Sequence, residues 1–183
     1  MYPAPASQVK WDGRVTVCTY PKQHSPEPCS AGRSKWPESG VEELTKAIDT
    51  GRWPDGERLG TVHYKPWLQP QYARAIAAKK KPVEGRPRCG WAAKVKEGDA
   101  IRFTITRSGR KYLCVRVVGV ERFESFADML QSCGLQQCLP DFDGDITAGV
   151  SLYRSFATTA GPYDMLEATH GVCGIHVVPL SQP

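Results

Sequence analysis

Residues 79–88 read Lys-Lys-Lys-Pro-Val-Glu-Gly-Arg-Pro-Arg. Three ammonium groups, two guanidiniums and a single carboxylate fall within this short run. Such a set can grip a polar, partly anionic ligand such as a nucleotide. If Pro82 to Arg86 is a strand, residues two apart share a face, so Glu84 and Arg86 point the same way. Lys81 sits just before the strand and reaches over the same mouth. Arg86 can hold a phosphate or carboxylate through two parallel hydrogen bonds. A desolvated Lys beside another cation can serve as a base. Lys81 and Glu84 are therefore candidates for catalysis as well as for binding. Two plainer readings stand beside these: Glu84 as the acid that positions Lys81 and Arg86, and the whole run as a solvated basic loop.

The charge pattern extends the candidate site. Between 79 and 96 lie Lys79, Lys80, Lys81, Arg86, Arg88, Lys94 and Lys96 against Glu84 alone, while the whole chain carries only +5. Residues 121–183 hold Arg122 and Arg154 against eight acids. A basic stripe on an otherwise balanced chain is the footprint expected for phosphate contacts. RNA or a nucleotide is the expected partner. Trp91 lies inside the stripe, and His63 and Trp67 lie close before it. Each can stack on a base or simply pack into the core. Ser125 precedes a helical segment and reads most simply as its N-cap, although a helix N-terminus also suits an anion.

Other chemistries are not supported. Cys18, His24 and Cys29 lack a fourth ligand and regular spacing, so no metal is expected. No Gly-rich phosphate loop, HExxH helix or Gly-x-Ser-x-Gly elbow occurs, and no cofactor is expected. The seven cysteines are odd in number and contain no Cys-x-x-Cys pair, which reads as reduced thiols. No long apolar run and no secretory leader are seen, so no membrane contact is expected. The expectation is an intracellular monomer, cytoplasmic or nuclear.

The elements that must position these residues form an α+β unit. Residues 1–58 are Pro-, Ser- and Gly-rich and read as an extension with one short helix, begun by a Ser39/Glu42 capping box and ended by Gly51. The extension is a candidate surface for a protein partner. Residues 59–183 read as the domain proper. Strands are expected at 60–64, 82–86, 100–106, 112–122 and 172–179, and helices at 69–78, 126–133 and 146–156. Ser108-Gly109 should make a hairpin turn. Five to six closely spaced strands with short helices between them suggest a small β-barrel or curved sheet, not a parallel α/β fold.

From about His63 to Leu180 the chain resembles the ASCH domain, a relative of the PUA barrel. The pieces come in family order: His63 and the following helix, Lys81-Pro-Val-Glu-Gly-Arg86, Glu97-Gly-Asp-Ala-Ile-Arg-Phe103, and Val117 through Ser125-Phe-Ala-Asp-Met-Leu130. Then follow Gly134-Leu135, Leu139-Pro140, Gly149-Val-Ser-Leu-Tyr153 and His170-Gly-Val-Cys-Gly-Ile175. The resemblance implies a PUA-like barrel whose cleft is lined by the Lys-x-x-Glu-x-Arg motif and which binds RNA or nucleotides. It also implies an alternative, since some relatives are small hydrolases acting on N4-acetylcytidine or on RNA. In the amidohydrolase type the motif Lys works with a Thr three residues later and with a further Glu. Here Glu84 occupies the Thr position, and the further Glu aligns near Cys133, a stretch of sequence without a carboxylate. Lys79 replaces the family's Gly, and Pro82 replaces its Thr.

Overall fold

The computed structural model describes residues 40–105 and 111–180. In chain order the elements are helix α1 (Val41–Thr50), strand β1 (Val62–Trp67), α2 (Pro70–Ala77), β2 (Val83–Pro87), β3 (Ala100–Thr104) and β4 (Tyr112–Phe123). They continue with α3 (Phe126–Cys133), α4 (Leu135–Cys138), α5 (Ile146–Arg154), β5 (Ala157–Thr158), β6 (Gly161–Pro162), α6 (Tyr163–His170) and β7 (Val172–Pro179). Ser39 and the Ser108-Gly109 turn lie outside the described residues. Gly51 ends α1 in the left-handed conformation, φ 68°, as its sequence position predicts.

Five strands form one mixed sheet in the order β1-β3-β4-β7-β2. The β1/β3 pair is parallel, and the other three pairs are antiparallel. Strands β5 and β6 make a separate two-stranded ribbon. Of the two expected forms the barrel is not realised. Strands β1 and β2 stand at opposite ends of the sheet and do not pair among the described residues.

Strand alternation explains the core. Ile101 and Phe103 on β3, Leu113, Val115 and Val117 on β4, and Ile175 and Val177 on β7 pack on Ala73 and Ile76 of α2. On the opposite face of β3 and β4, Ala100 and Cys114 meet Leu44 and Ala47 of α1, with Trp53 and Leu180. A third cluster joins Val83 and Val172 to α3, α5 and α6 through Phe126, Met129, Leu130, Tyr153 and Tyr163. A bulge between Val117 and Gly119 shifts the alternation of β4, so that Val120 returns to the α2 face. Among the described residues, no helix is long and apolar enough to cross a membrane.

Buried thiols add a pH dependence. Burial pushes both Cys138 and Cys173 up to about 12 from the ordinary value of 9.0. A raised folded pKa stabilises fully below the unfolded value, and the contribution is lost as pH climbs towards the folded one. Urea unfolding should therefore show stability falling above pH 9 by about 1.4 kcal/mol per pH unit for each thiol. Replacing either Cys by Ala should flatten that slope, and an unchanged slope would contradict the burial assigned here.

Candidate functional site

Strand β2 begins two residues after Lys81 and carries the acid and base of the motif on one face. Pro82 at the strand entry has no N–H, but its carbonyl accepts from Val177 N at 2.8 Å and so ties the entry to β7. Glu84 is paired across the ladder with Ile175, and Arg86 with Cys173. The shared face brings Arg86 Nε to 2.8 Å and Nη2 to 2.7 Å from Glu84 Oε1. Lys81 Nζ lies 3.3 Å from Glu84 Oε2. Both residues are buried, Lys81 at 2% exposure and Glu84 at 5%.

The ammonium of Lys81 is held by two carbonyls and by the Glu84 carboxylate. It donates to the Val83 carbonyl at 2.7 Å and to the Cys138 carbonyl on α4, and it lies 5.4 Å from the centre of the Tyr72 ring. An ammonium has three protons. Two carbonyls and one carboxylate match that number, which is how a buried Lys avoids the cost of an unmet charge. Lys81 thus ties the start of β2 to α4, and Glu84 joins it to Arg86.

Arg86 carries the network across to other elements. Nη1 donates to Tyr163 Oη at 3.0 Å on α6, and Nη2 donates to the Trp67 carbonyl at 2.9 Å at the end of β1. A side chain thereby links the two outer strands that no backbone ladder joins. Burial works against the Arg86 charge, but Glu84 and then Tyr163 outweigh it and hold its pKa above the ordinary value. Burial likewise pushes the Tyr163 hydroxyl up, against the pull of Arg86. The two tyrosines stand on either side of Phe126: ring centres are 4.6 Å apart for Tyr153 and 5.9 Å for Tyr163, with near-parallel planes. The Tyr153 hydroxyl is buried without a hydrogen-bond partner among the described residues. Gly85 makes room for it, since a Cβ at that position would lie 2.8 Å from Tyr153 Oη and 2.6 Å from Met129 Cε.

The other residues named from the sequence are dispersed. Trp67 is close to the network and 49% exposed, at the end of a register shift in β1 that contains Pro66. Trp91 is half-buried on the α2-side core, with Arg86 5.9 Å from its ring centre and Phe103 edge-on at 6.4 Å. His63 Nε2 lies 2.8 Å from Asp99 Oδ2, and Asp99 also accepts from Thr61 N and Lys96 N. His63 therefore belongs to a buried carboxylate that fastens the turn before β3. Arg88 Nε donates to the His170 carbonyl at 2.8 Å. Ser125 Oγ accepts the Asp128 N–H at 3.2 Å, as an N-cap does. Lys79, Lys80, Lys94 and Lys96 are exposed, and Lys80 Nζ is 3.9 Å from Asp141.

Sequence reasoning did not find Tyr72, Tyr163 or the Trp67 and Cys138 carbonyls. Backbone acceptors leave no signal in residue type. Tyr163 opens a helix, α6, that lacks a side-chain cap and was not expected. Tyr153 ends a quoted family segment, but nothing in its spacing marks it as part of a charged site.

Lys79 adds a local strain. It follows α2 in the left-handed region, φ 59°, with its N–H bonded to the Ile76 carbonyl. A non-Gly residue pays roughly 1–2 kcal/mol there, partly offset by the greater unfolded freedom of Gly. Lys79→Gly should raise stability by about 0.5–1 kcal/mol in urea unfolding, and a loss of stability would contradict the assigned turn.

The chain has no match among the curated proteins. Among solved structures it is similar to the hypothetical protein PH0355, at 32% identity and a TM-score of 0.55, over 64% of this chain and 99% of that one. It is also similar to protein PF0455 from Pyrococcus furiosus, at 31% identity and a TM-score of 0.51, over 66% of this chain and 98% of that one. The ASCH domain model matches residues 67–174, a span that contains Lys81, Glu84, Arg86, Tyr153 and Tyr163. The chain belongs to the ASCH domain family.

Proposed function

We propose that the chain binds RNA or a nucleotide on the surface where Trp67 is exposed above the Lys81–Glu84–Arg86 network. The observation that carries this reading is the Arg86–Trp67 link. A half-exposed indole is held at its backbone by a guanidinium that a buried carboxylate fixes in turn. Anchoring the backbone that carries the indole limits the freedom lost when a base stacks on it. The exposed Lys79, Lys94 and Lys96 supply phosphate contacts in this reading, and membership of the ASCH family, a PUA-like group associated with RNA, supports it.

The network favours binding over turnover. Lys81 donates to two carbonyls and is ion-paired with Glu84, which supports a positioning charge over a free base. The hydrolase reading has one observation in its favour. The Tyr153 hydroxyl is buried without a hydrogen-bond partner among the described residues, and burial, then Cys138, then Glu84 hold its pKa well above the ordinary value.

Titration of the full chain with short single-stranded RNAs and free nucleotides, at graded salt, tests the proposal. Affinity should fall linearly in log–log form as salt rises. Replacing Lys94 and Lys96 by Ala should flatten the slope by about 1.4 on single strands, about 0.7 per lost contact. Salt-independent binding would point to a small neutral ligand. Product formed from any bound RNA or nucleoside would favour the hydrolase reading.

A further inference from the structure

A second cluster of chemically capable side chains lies on the opposite face of the sheet. Glu121 of β4, Cys133 of α3 and His176 of β7 place one oxygen, one sulfur and one nitrogen within 4.8 Å of one another. His176 Nε2 is 2.7 Å from Glu121 Oε1, and Cys133 Sγ is 4.0 Å from the same oxygen. Residues paired across an antiparallel ladder share a face. His176 is paired with Val83, whereas the neighbouring pair, Glu84 with Ile175, points to the other side. The cluster is thus separate from the Lys81–Glu84–Arg86 network.

Three backbone features build this cluster. The bulge between Val117 and Gly119 turns Glu121 towards α3, where uninterrupted alternation from Val115 and Val117 would have sent it to the α2 side. Gly119 lies opposite His176, and a Cβ there would lie 3.7 Å from His176 Cβ and 3.8 Å from its imidazole. Gly174 lies opposite Glu121, and a Cβ there would stand 3.1 Å from Cys133 Sγ. Gly174 therefore leaves the room that the Cys133 thiol occupies, and Gly119 leaves open the floor beneath His176.

We propose that Glu121, Cys133 and His176 form a site for a divalent transition cation of the zinc class, with the fourth position open to water. Thiolate with imidazole selects zinc or cobalt over magnesium and calcium, which prefer all-oxygen sites. Tetrahedral zinc with bonds of about 2.0–2.3 Å needs its ligand atoms roughly 3.3–3.6 Å apart. Reaching that spacing requires the Glu121–His176 contact to open and the thiol to close in. The adjustment falls on Glu121, whose side chain is 50% exposed. Binding exchanges the thiol proton for the metal: a Cys133 S–H gives a sulfur–metal bond and one proton released to solvent. The site keeps a side open to water, because Glu121 and His176 are both partly exposed.

The test uses the full chain with Cys18 and Cys29 replaced by Ser, so that thiols outside the described residues do not contribute. Cobalt(II) should bind one to one and give a thiolate-to-cobalt charge-transfer band together with the strong visible bands of tetrahedral cobalt. Zinc should displace it, and a large excess of magnesium should not. Cys133→Ser should abolish the charge-transfer band. Glu121→Gln alters a half-exposed side chain and should leave the metal-free melting temperature unchanged, so it reports on the site even if the Cys133 variant folds poorly. It should weaken cobalt binding at least tenfold. No charge-transfer band, a band that survives Cys133→Ser in a folded protein, or unchanged affinity in Glu121→Gln would each overturn the proposal.

Discussion

Glu84→Gln should cost the fold about 3–5 kcal/mol, the range for removing one partner of a buried ion pair. Among the described residues the carboxylate is the one acid paired with both the buried Lys81 and the largely buried Arg86, 3.3 Å from Lys81 Nζ and 2.7 Å from Arg86 Nη2. Gln keeps the shape and can accept one hydrogen bond, but its amide places donors against an ammonium and a guanidinium that are themselves donors only. For a domain of this size the loss corresponds to a drop of roughly 10 °C or more in melting temperature. The double change Lys81→Met with Glu84→Gln should lose less than the sum of its parts, since the two residues touch. A melting temperature within a degree or two of the parent would mean that the carboxylate is solvated and that the network is not what holds β2 in place.

Trp67→Ala should have the opposite profile, with little change in stability and a large change in binding. The indole is half exposed, while the link to Arg86 runs through the backbone carbonyl, which Ala retains. Loss of one stacked base is worth about 1–3 kcal/mol, or roughly 5- to 150-fold in Kd. Trp67→Phe should recover most of the affinity, because a smaller ring still stacks. If Trp67→Ala binds RNA as the parent does, base stacking at this surface is excluded and the proposed site is misplaced.

Most of the element framework was legible because it rests on local pattern. The Val-rich run from Tyr112 predicts a strand, and Ser125 as N-cap predicts a helix start; both stand where expected. The shared face of Glu84 and Arg86 follows from strand periodicity alone, and the two side chains do meet. What could not be read is what lies across from them. The Cys138 carbonyl that receives Lys81 is 57 residues away, and Tyr163 is 77 residues from Arg86. Such contacts depend on how α4 and α6 pack, and both helices are short with weak start signals. The bulge in β4 was hidden for a similar reason. Val117-Val-Gly-Val120 reads as uninterrupted strand, and only pairing with β7 decides which residue is extra. Trp91 and His63 show the limit of composition: a basic stretch with aromatic residues suggests stacking, yet one ring packs on Phe103 and the other is fastened to Asp99.

The proposed nucleotide-binding surface is the exposed indole of Trp67, whose backbone carbonyl is anchored by the Arg86 guanidinium. The most direct measurement is a nitrogen–proton NMR titration that follows the five Trp indole N–H signals and the Arg86 Nε–H as a nucleotide or short RNA is added. A guanidinium N–H held at 2.8 Å by a buried carboxylate should exchange slowly enough to be seen. The predicted result is a saturable shift of the Trp67 indole and of Arg86 Nε–H, with Trp53, buried beside α1, left unmoved. Shifts confined to residues distant from Trp67 and Arg86, or no shift at low salt with any nucleotide or RNA, would contradict the account.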